Sequence, residues 1–252
     1  MSRPLEGLRA VVTSPKKVAE SLAGELAGAG AEVVVEALIS IEDPESWAPL
    51  DSALEGLASG AYAWLVVPSG NAARRVVARL EAAGLKPHVD TRVATVGPST
   101  ARDLERGGLE VDLLADPHTS QALVEAIGRG DGRILLPRAA GGPREFPHEL
   151  AALGWDVHEV PAYRNLPVEP ESSAIDRVRS GDFDVITLTS ASAARALASL
   201  ATPPPNAVIA CIGPSTADGA RAAGLPVDVV AEEHTEPGLV KAIIEHVRGM
   251  AR

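Results

Sequence analysis

Much of this chain occurs twice within itself, and that restricts the folds open to it. Residues Val93–Ile127 align with Ile209–Ile243 at a constant offset of 116, without a gap, and 17 of the 35 positions are identical. The anchor Gly97-Pro98-Ser99-Thr100-Ala101 returns as Gly213-Pro214-Ser215-Thr216-Ala217. Both are followed by Gly-Leu-x-Val-Asp, His-Thr and Leu-Val-x-Ala-Ile. A solenoid would need a shorter period that continues along the chain. Two copies about half a chain apart imply instead a duplicated domain, with matching loops on either side of one cleft.

Shorter matches extend the duplication. Ser59-Gly60-Ala61-Tyr62 through Ser69 and Ala72-Ala73-Arg74 match Ser180-Gly181-Asp182-Phe183 through Ser190 and Ala193-Ala194-Arg195. Glu25-Leu26-Ala27 to Gly30 and Val33 match Glu149-Leu150-Ala151 to Gly154 and Val157. The order is X (about 7–40), Y (about 54–130), X′ (about 132–164) and Y′ (about 175–249). Offsets drift between the pieces, where loops absorb insertions.

Each piece reads as alternating strand and helix. Short apolar runs such as Ala10–Val12, Val33–Val35, Trp64–Val67, Val93–Val96 and Val111–Leu114 alternate with helical segments such as Lys16–Ala29, Ala72–Ala83, Ser99–Arg106 and Ser120–Gly128. X′ and Y′ repeat the series, ending in a helix over Pro237–Arg248. Continuous apolar strands between helices predict parallel sheets covered on both faces, an α/β fold in two similar domains. Two Pro- and Glu-bearing segments, Ile41–Trp47 and Asn165–Ser173, interrupt X–Y and X′–Y′ at equivalent places and read as antiparallel connectors. The pattern leaves two pairings open, XY with X′Y′ or X with Y′ and Y with X′.

Composition removes several classes of function. The net charge of −11 argues against nucleic-acid binding, which relies on clustered Lys and Arg. No apolar run reaches the ~18 residues of a membrane span. Met1-Ser2-Arg3-Pro4-Leu5-Glu6 lacks the features of a secretory signal, and the single cysteine, Cys211, suits a reducing cytoplasm. The histidines show no zinc spacing, so no metal site is expected. Gly-x-Ser-x-Gly is absent, and Gly28-Ala29-Gly30 ends a helix where a dinucleotide fingerprint would open one. A nucleotide-sugar transferase is set aside for want of a metal-binding Asp-x-Asp.

Polar residues gather at the strand-to-helix turns. Gly-Pro-Ser-Thr-Ala follows a strand in both copies, where Gly permits a sharp turn, Pro presets φ, and a hydroxyl could cap free N–H groups. Ser69-Gly70-Asn71 and Ser190-Ala191-Ser192 hold the same place one unit earlier. Such turns lie at the carboxyl edge of a parallel sheet, where open α/β folds bind ligands. Each hydroxyl could cap its helix or meet an anion. His118-Thr119 and His234-Thr235 read as Thr caps beside solvent-touching imidazoles. Tyr163 breaks the repeat, because its partner at offset 124 is Ile39. It suits either packing at a connector or proton donation, since a phenol holds its proton at neutral pH.

With these residues assembled, the chain resembles the uroporphyrinogen-III synthase family. The marks are Thr13, Ser69-Gly70-Asn71-Ala72, Val96-Gly97-Pro98-Ser99-Thr100-Ala101, Leu136-Pro137-Arg138, Ala162-Tyr163-Arg164, Thr189-Ser190 and Ile212-Gly213-Pro214-Ser215-Thr216-Ala217. The resemblance implies two parallel-sheet α/β domains joined by a two-stranded β-ladder, with the first βα unit folded onto the C-terminal half. The domains would be 1–40 with 168–252, and 41–167 including the connectors. It implies cyclisation of linear hydroxymethylbilane, without metal or organic cofactor, with Tyr163 as proton donor, and a monomer is expected because the cleft is made within one chain. Substrate-binding residues would be Thr13, Ser14, Ser69, Asn71, Ser99, Thr100, Arg138, Ser190, Ser192, Ser215 and Thr216. Many relatives carry Thr-Arg where this chain has Thr13-Ser14, so the basic contact to a substrate carboxylate is either missing there or supplied by Arg138 or Lys16. A non-catalytic two-domain protein closing on an anionic ligand is the alternative, and it leaves Tyr163 without a purpose.

Overall fold

The doubled βα series builds two sheets, each covered on both faces. The computed structural model describes residues 3–168 and 172–250, without the side chains of 16–18 and 172–174. The chain divides into two compact units, Met1–Ile41 with Leu166–Arg252, and Glu42–Asn165.

The first unit holds β1 (Arg9–Val12), α1 (Lys16–Gly28) and β2 (Glu32–Val35), and later α7 (Ser172–Arg179), β9 (Val185–Leu188), α8 (Ala191–Leu200), β10 (Val208–Cys211), α9 (Pro214–Ala222), β11 (Val229–Val230) and α10 (Glu236–Met250). Its five-stranded sheet runs β11-β10-β9-β1-β2, all parallel. The first strand of the chain is therefore interior, with Val11 level with both Val34 and Ile186. Side chains alternate across the pleat. Ala10, Val12, Val185 and Ala210 pack with α1 and α10, while Val11, Ile186, Leu188 and Ile209 pack with α7, α8 and α9. Burying one such Val, Leu or Ile side chain contributes ~1.5–3 kcal/mol, so β1 cannot be removed cheaply.

The second unit contains α2 (Ala48–Ala58), β4 (Trp64–Val67), α3 (Gly70–Ala83), β5 (Arg92–Thr95), α4 (Pro98–Arg106), β6 (Leu113–Leu114), α5 (Ser120–Ile127), β7 (Arg133–Ala139), α6 (Glu145–Ala152) and β8 (Asp156–Pro167). With β3 (Ile39–Glu42) as its edge, the sheet order is β3-β8-β7-β4-β5-β6. Trp64, Val66, Ala94, Ile134 and Leu136 form one core with Leu123, Ile127, Leu150 and Trp155. Gly84 closes α3 at φ 65°, a left-handed cap that glycine adopts without strain.

Strand for strand, β2-β1-β9-β10-β11 corresponds to β8-β7-β4-β5-β6. X is thus paired with Y′ and X′ with Y, the choice that the sequence pattern left open. Three expectations change in detail. The connector strands are Ile39–Glu42 and Asp156–Pro167, earlier than Ile41–Trp47 and Asn165–Ser173, and residues 169–171 of the latter lie outside the described residues. Val111–Leu114 shrinks to a two-residue strand, Leu113–Leu114, preceded by Asp112, whose carboxylate accepts the amide of Val93 at 2.7 Å. Helices α2 and α7, which precede β4 and β9, were not anticipated. In α2 the buried Leu50, Ala53, Leu54 and Leu57 have the spacing of one helical face.

Candidate functional site

Because all strands of the second unit's β8-β7-β4-β5 core are parallel, Ser69, the Gly97–Thr100 turn, Arg138 and the end of β8 lie at one sheet edge. A β-bulge brings Tyr163 there. Arg138 is level with Pro161 while Ala139 is level with Tyr163, leaving one extra residue, Ala162, in β8. An extra residue bends the strand and re-aims the side chain beside it. Tyr163 is 8% exposed, its hydroxyl is 3.3 Å from Ser69 Oγ, and its backbone carbonyl accepts from the amide of Ala140 at 2.8 Å. The guanidinium of Arg75 lies over the ring, 5.6 Å from its centre. Arg75 carries no mark in the sequence motifs.

Ser69 has a second task. Its Oγ accepts the amide of Ala72 at 3.3 Å and caps α3, as Ser190 Oγ caps α8 through Ala193 at 3.2 Å. Asn71 offers its side-chain oxygen to Arg74 at 2.7 Å. The Gly-Pro-Ser-Thr turns are built differently. Gly97 and Gly213 occupy the cap positions of α4 and α9, and no side chain caps either helix. The expected hydroxyl caps are absent here because Ser99, Thr100, Ser215 and Thr216 lie inside the first turn, past the position from which a side chain can reach back. Proline supplies no N–H, so the amides of Ser99 and Thr100, and of Ser215 and Thr216, remain open at the positive end of each helix dipole. Ser99 and Ser215 are exposed. Thr100 and Thr216 are 5% and 6% exposed.

In the first unit, Thr13 and Ser14 end β1. The buried Thr13 hydroxyl donates to the carbonyl of Thr187 at 2.7 Å. Ser14 Oγ meets Thr189 Oγ1 at 2.7 Å, a contact between the ends of two neighbouring strands. Ser192 sits in the first turn of α8. Arg138, offered as a basic contact, is largely buried and held by Glu159 at 3.0 Å and by the carbonyl of Pro143. The side chain of Lys16, the other candidate, lies outside the described residues. Thr119 and Thr235 cap their helices through Ala122 and Gly238, each at 3.1 Å, and His118 turns its Nδ1 to the carbonyl of Ala115.

An Asp-x-Asp does occur in the sequence, Asp182-Phe183-Asp184. It precedes β9, at the amino end of the strand. Asp182 is bound by Arg9 and Arg177, and Asp184 accepts the amide of Arg9 at 2.8 Å. Its carboxylates are thus taken up in ion pairs away from the carboxyl edge. Cys211 ends β10 fully buried, and burial pushes its thiol up to about 11. Among the described residues no helix is long and apolar enough to cross a membrane.

The sequence profile of the family described as Uroporphyrinogen-III synthase HemD matches residues 20–241. The chain is 30% identical over 260 residues to the uroporphyrinogen-III synthase of Synechococcus elongatus, covering 98% of each chain. It is 27% identical over 250 residues to that of Chlorobaculum parvum, covering 94% of this chain and 98% of the other. A mutant uroporphyrinogen III synthase of Thermus thermophilus superposes with a TM-score of 0.76 at 19% identity, over 96% of this chain and 100% of that one. That structural likeness speaks for the fold, while profile and sequence identity over nearly the whole length speak for descent. The chain belongs to the uroporphyrinogen-III synthase family.

Proposed function

We propose that this protein closes linear hydroxymethylbilane into uroporphyrinogen III, inverting the terminal pyrrole ring with loss of water, and that Tyr163 is the proton donor. Family membership supports the reaction. The observation that carries the residue assignment is the Tyr163 phenol, turned by a bulge to Ser69 beside helix starts with open amides. The substrate presents eight carboxylates. Helix N-termini bind such groups through N–H donors and the helix dipole, without formal charge, which suits an acidic protein. Ser99, Thr100, Ser215 and Thr216 supply open amides and hydroxyls, and Asn71, Ser190 and Ser192 stand at the other two helix starts. Thr13, Ser14 and Arg138 have partners within the protein, so their part is to shape the strand ends.

The chemistry follows from the leaving group. Hydroxide leaves poorly, and the Tyr163 phenol donates its proton as the carbon–oxygen bond breaks, releasing water and an electrophilic azafulvene. The substituted carbon of the terminal ring attacks to give a spiro centre, which reopens and closes at the other position. The proton lost as the pyrrole regains aromaticity restores the phenol, so the cycle balances. Incubation with freshly prepared hydroxymethylbilane, followed by separation of isomers, is expected to yield the type III product. A protein that binds the product yet leaves only the spontaneous type I ring would be a binding protein and would end the enzymatic reading.

A further inference from the structure

Tyr163 is not the only residue at which the two copies part. At the offset of 121 that aligns Ser69 with Ser190, Arg75 corresponds to Ala196, and at offset 124 Tyr163 corresponds to Ile39. The two departures touch. In the second unit Arg75 lies over the Tyr163 ring, and in the first unit Ile39 and Ala196 share one apolar cluster. An aliphatic pair thus serves the same place in the first unit. A guanidinium over a phenol is therefore not demanded by packing.

The guanidinium is also held firmly. It is bound to Asp43 at 3.1 Å and donates to the backbone carbonyl of Asn71 at 3.3 Å, and its side chain is only 17% exposed. Arg164, the neighbour of Tyr163, donates to the carbonyl of Asp43 at 3.0 Å and pairs with Glu45. The 43–45 segment is thereby tied on both sides of the phenol. A cation over an aromatic face fixes the plane of the ring by attraction to its π cloud. Because a phenol O–H prefers the plane of its ring, fixing the plane limits the directions in which its proton can be donated.

We propose that Arg75 is the positioning residue for Tyr163, holding the phenol in the orientation from which it donates to the departing hydroxyl. This rests on the function proposed above. The test compares Arg75→Ala, the residue its own copy carries, with Arg75→Lys, each made with Tyr163 and with Tyr163→Phe. Single-turnover formation of the type III isomer should fall about 10-fold in Arg75→Ala, well within the loss a misplaced catalytic group causes. The concentration for half-saturation should stay nearly constant, and Arg75→Lys should recover part of the rate. In the Phe background the Arg75 substitutions should have no further effect. An equal loss in both backgrounds, or a loss of affinity at unchanged rate, would overturn the proposal. A Tyr163→Phe variant of normal rate would instead remove the donor assignment itself. Position can be read without turnover, since Tyr62 and Tyr163 are the only tyrosines. In protein carrying labelled tyrosine, Arg75→Ala should shift the ring resonances of Tyr163 and leave those of Tyr62 in place. An unmoved Tyr163 signal would also sink the idea.

Discussion

Tyr163 carries the chemical reading, and its replacement is the most direct test of it. Tyr163→Phe keeps the ring and the Arg75 contact and loses only the hydroxyl and its 3.3 Å approach to Ser69. Stability should change by no more than about 1 kcal/mol, the net worth of one hydrogen bond. Single-turnover formation of the type III isomer should fall ~10–10³-fold, because general-acid help is bounded and the substrate also forms its electrophile unaided. Unchanged turnover in a folded variant would leave substrate folding as the main catalytic device. Cys211 makes a contrasting case. Burial raises its thiol to about 11 from the ordinary 9.0, so folding favours the protonated form. The stability this lends is complete below pH 9.0 and is lost as pH rises towards about 11. Native protein at pH 8 should resist alkylation until denaturant opens the core. Rapid labelling of folded protein would contradict the burial.

The strand-to-helix turns look alike in sequence and differ in construction. Ser69 and Ser190 cap α3 and α8, so Ser69→Ala and Ser190→Ala should each cost about 0.5–2 kcal/mol in denaturant unfolding. Thr100 and Thr216 cap nothing, so Thr100→Val and Thr216→Val should leave stability nearly intact. The same two variants should weaken binding of the type III product if these turns hold carboxylates. Equal unfolding losses in all four variants would show that the distinction between the two kinds of turn is wrong. The hydroxyl types were legible in the sequence. Their division of labour was not, because capping depends on where the helix begins, and a shift of two residues changes a cap into a first-turn donor.

For the whole chain, the position of β1 has a consequence for fragments. It lies between β9 and β2, yet it is separated from β9 by more than half the sequence. A fragment of 166–252 lacks both β1 and β2 and exposes the flank of β9, whereas 43–165 retains β4 to β7, β8 as far as Asn165, and their helices. The shorter C-terminal fragment should show no cooperative unfolding transition. The 43–165 fragment should keep one, and the 166–252 fragment should regain one on addition of 1–41. Cooperative unfolding of isolated 166–252 would mean that β1 contributes little to that core.

The duplication, the alternation of strand and helix, the parallel sheets and the polar turns could all be read along the chain, because each is a local pattern with its own period. The unlike pair Tyr163 and Ile39 was visible too, as a break in the repeat. Pairing X with Y′ was not legible from pattern, because either arrangement buries the same apolar strands. Contacts between strands far apart in sequence decided it. Nor could the sequence show that Ala162 is a bulge, that Arg138 is spent on Glu159, or that Arg75 lies over Tyr163. Each of these depends on register between strands or on a neighbour from another element, and such relations exist only once the chain has closed on itself.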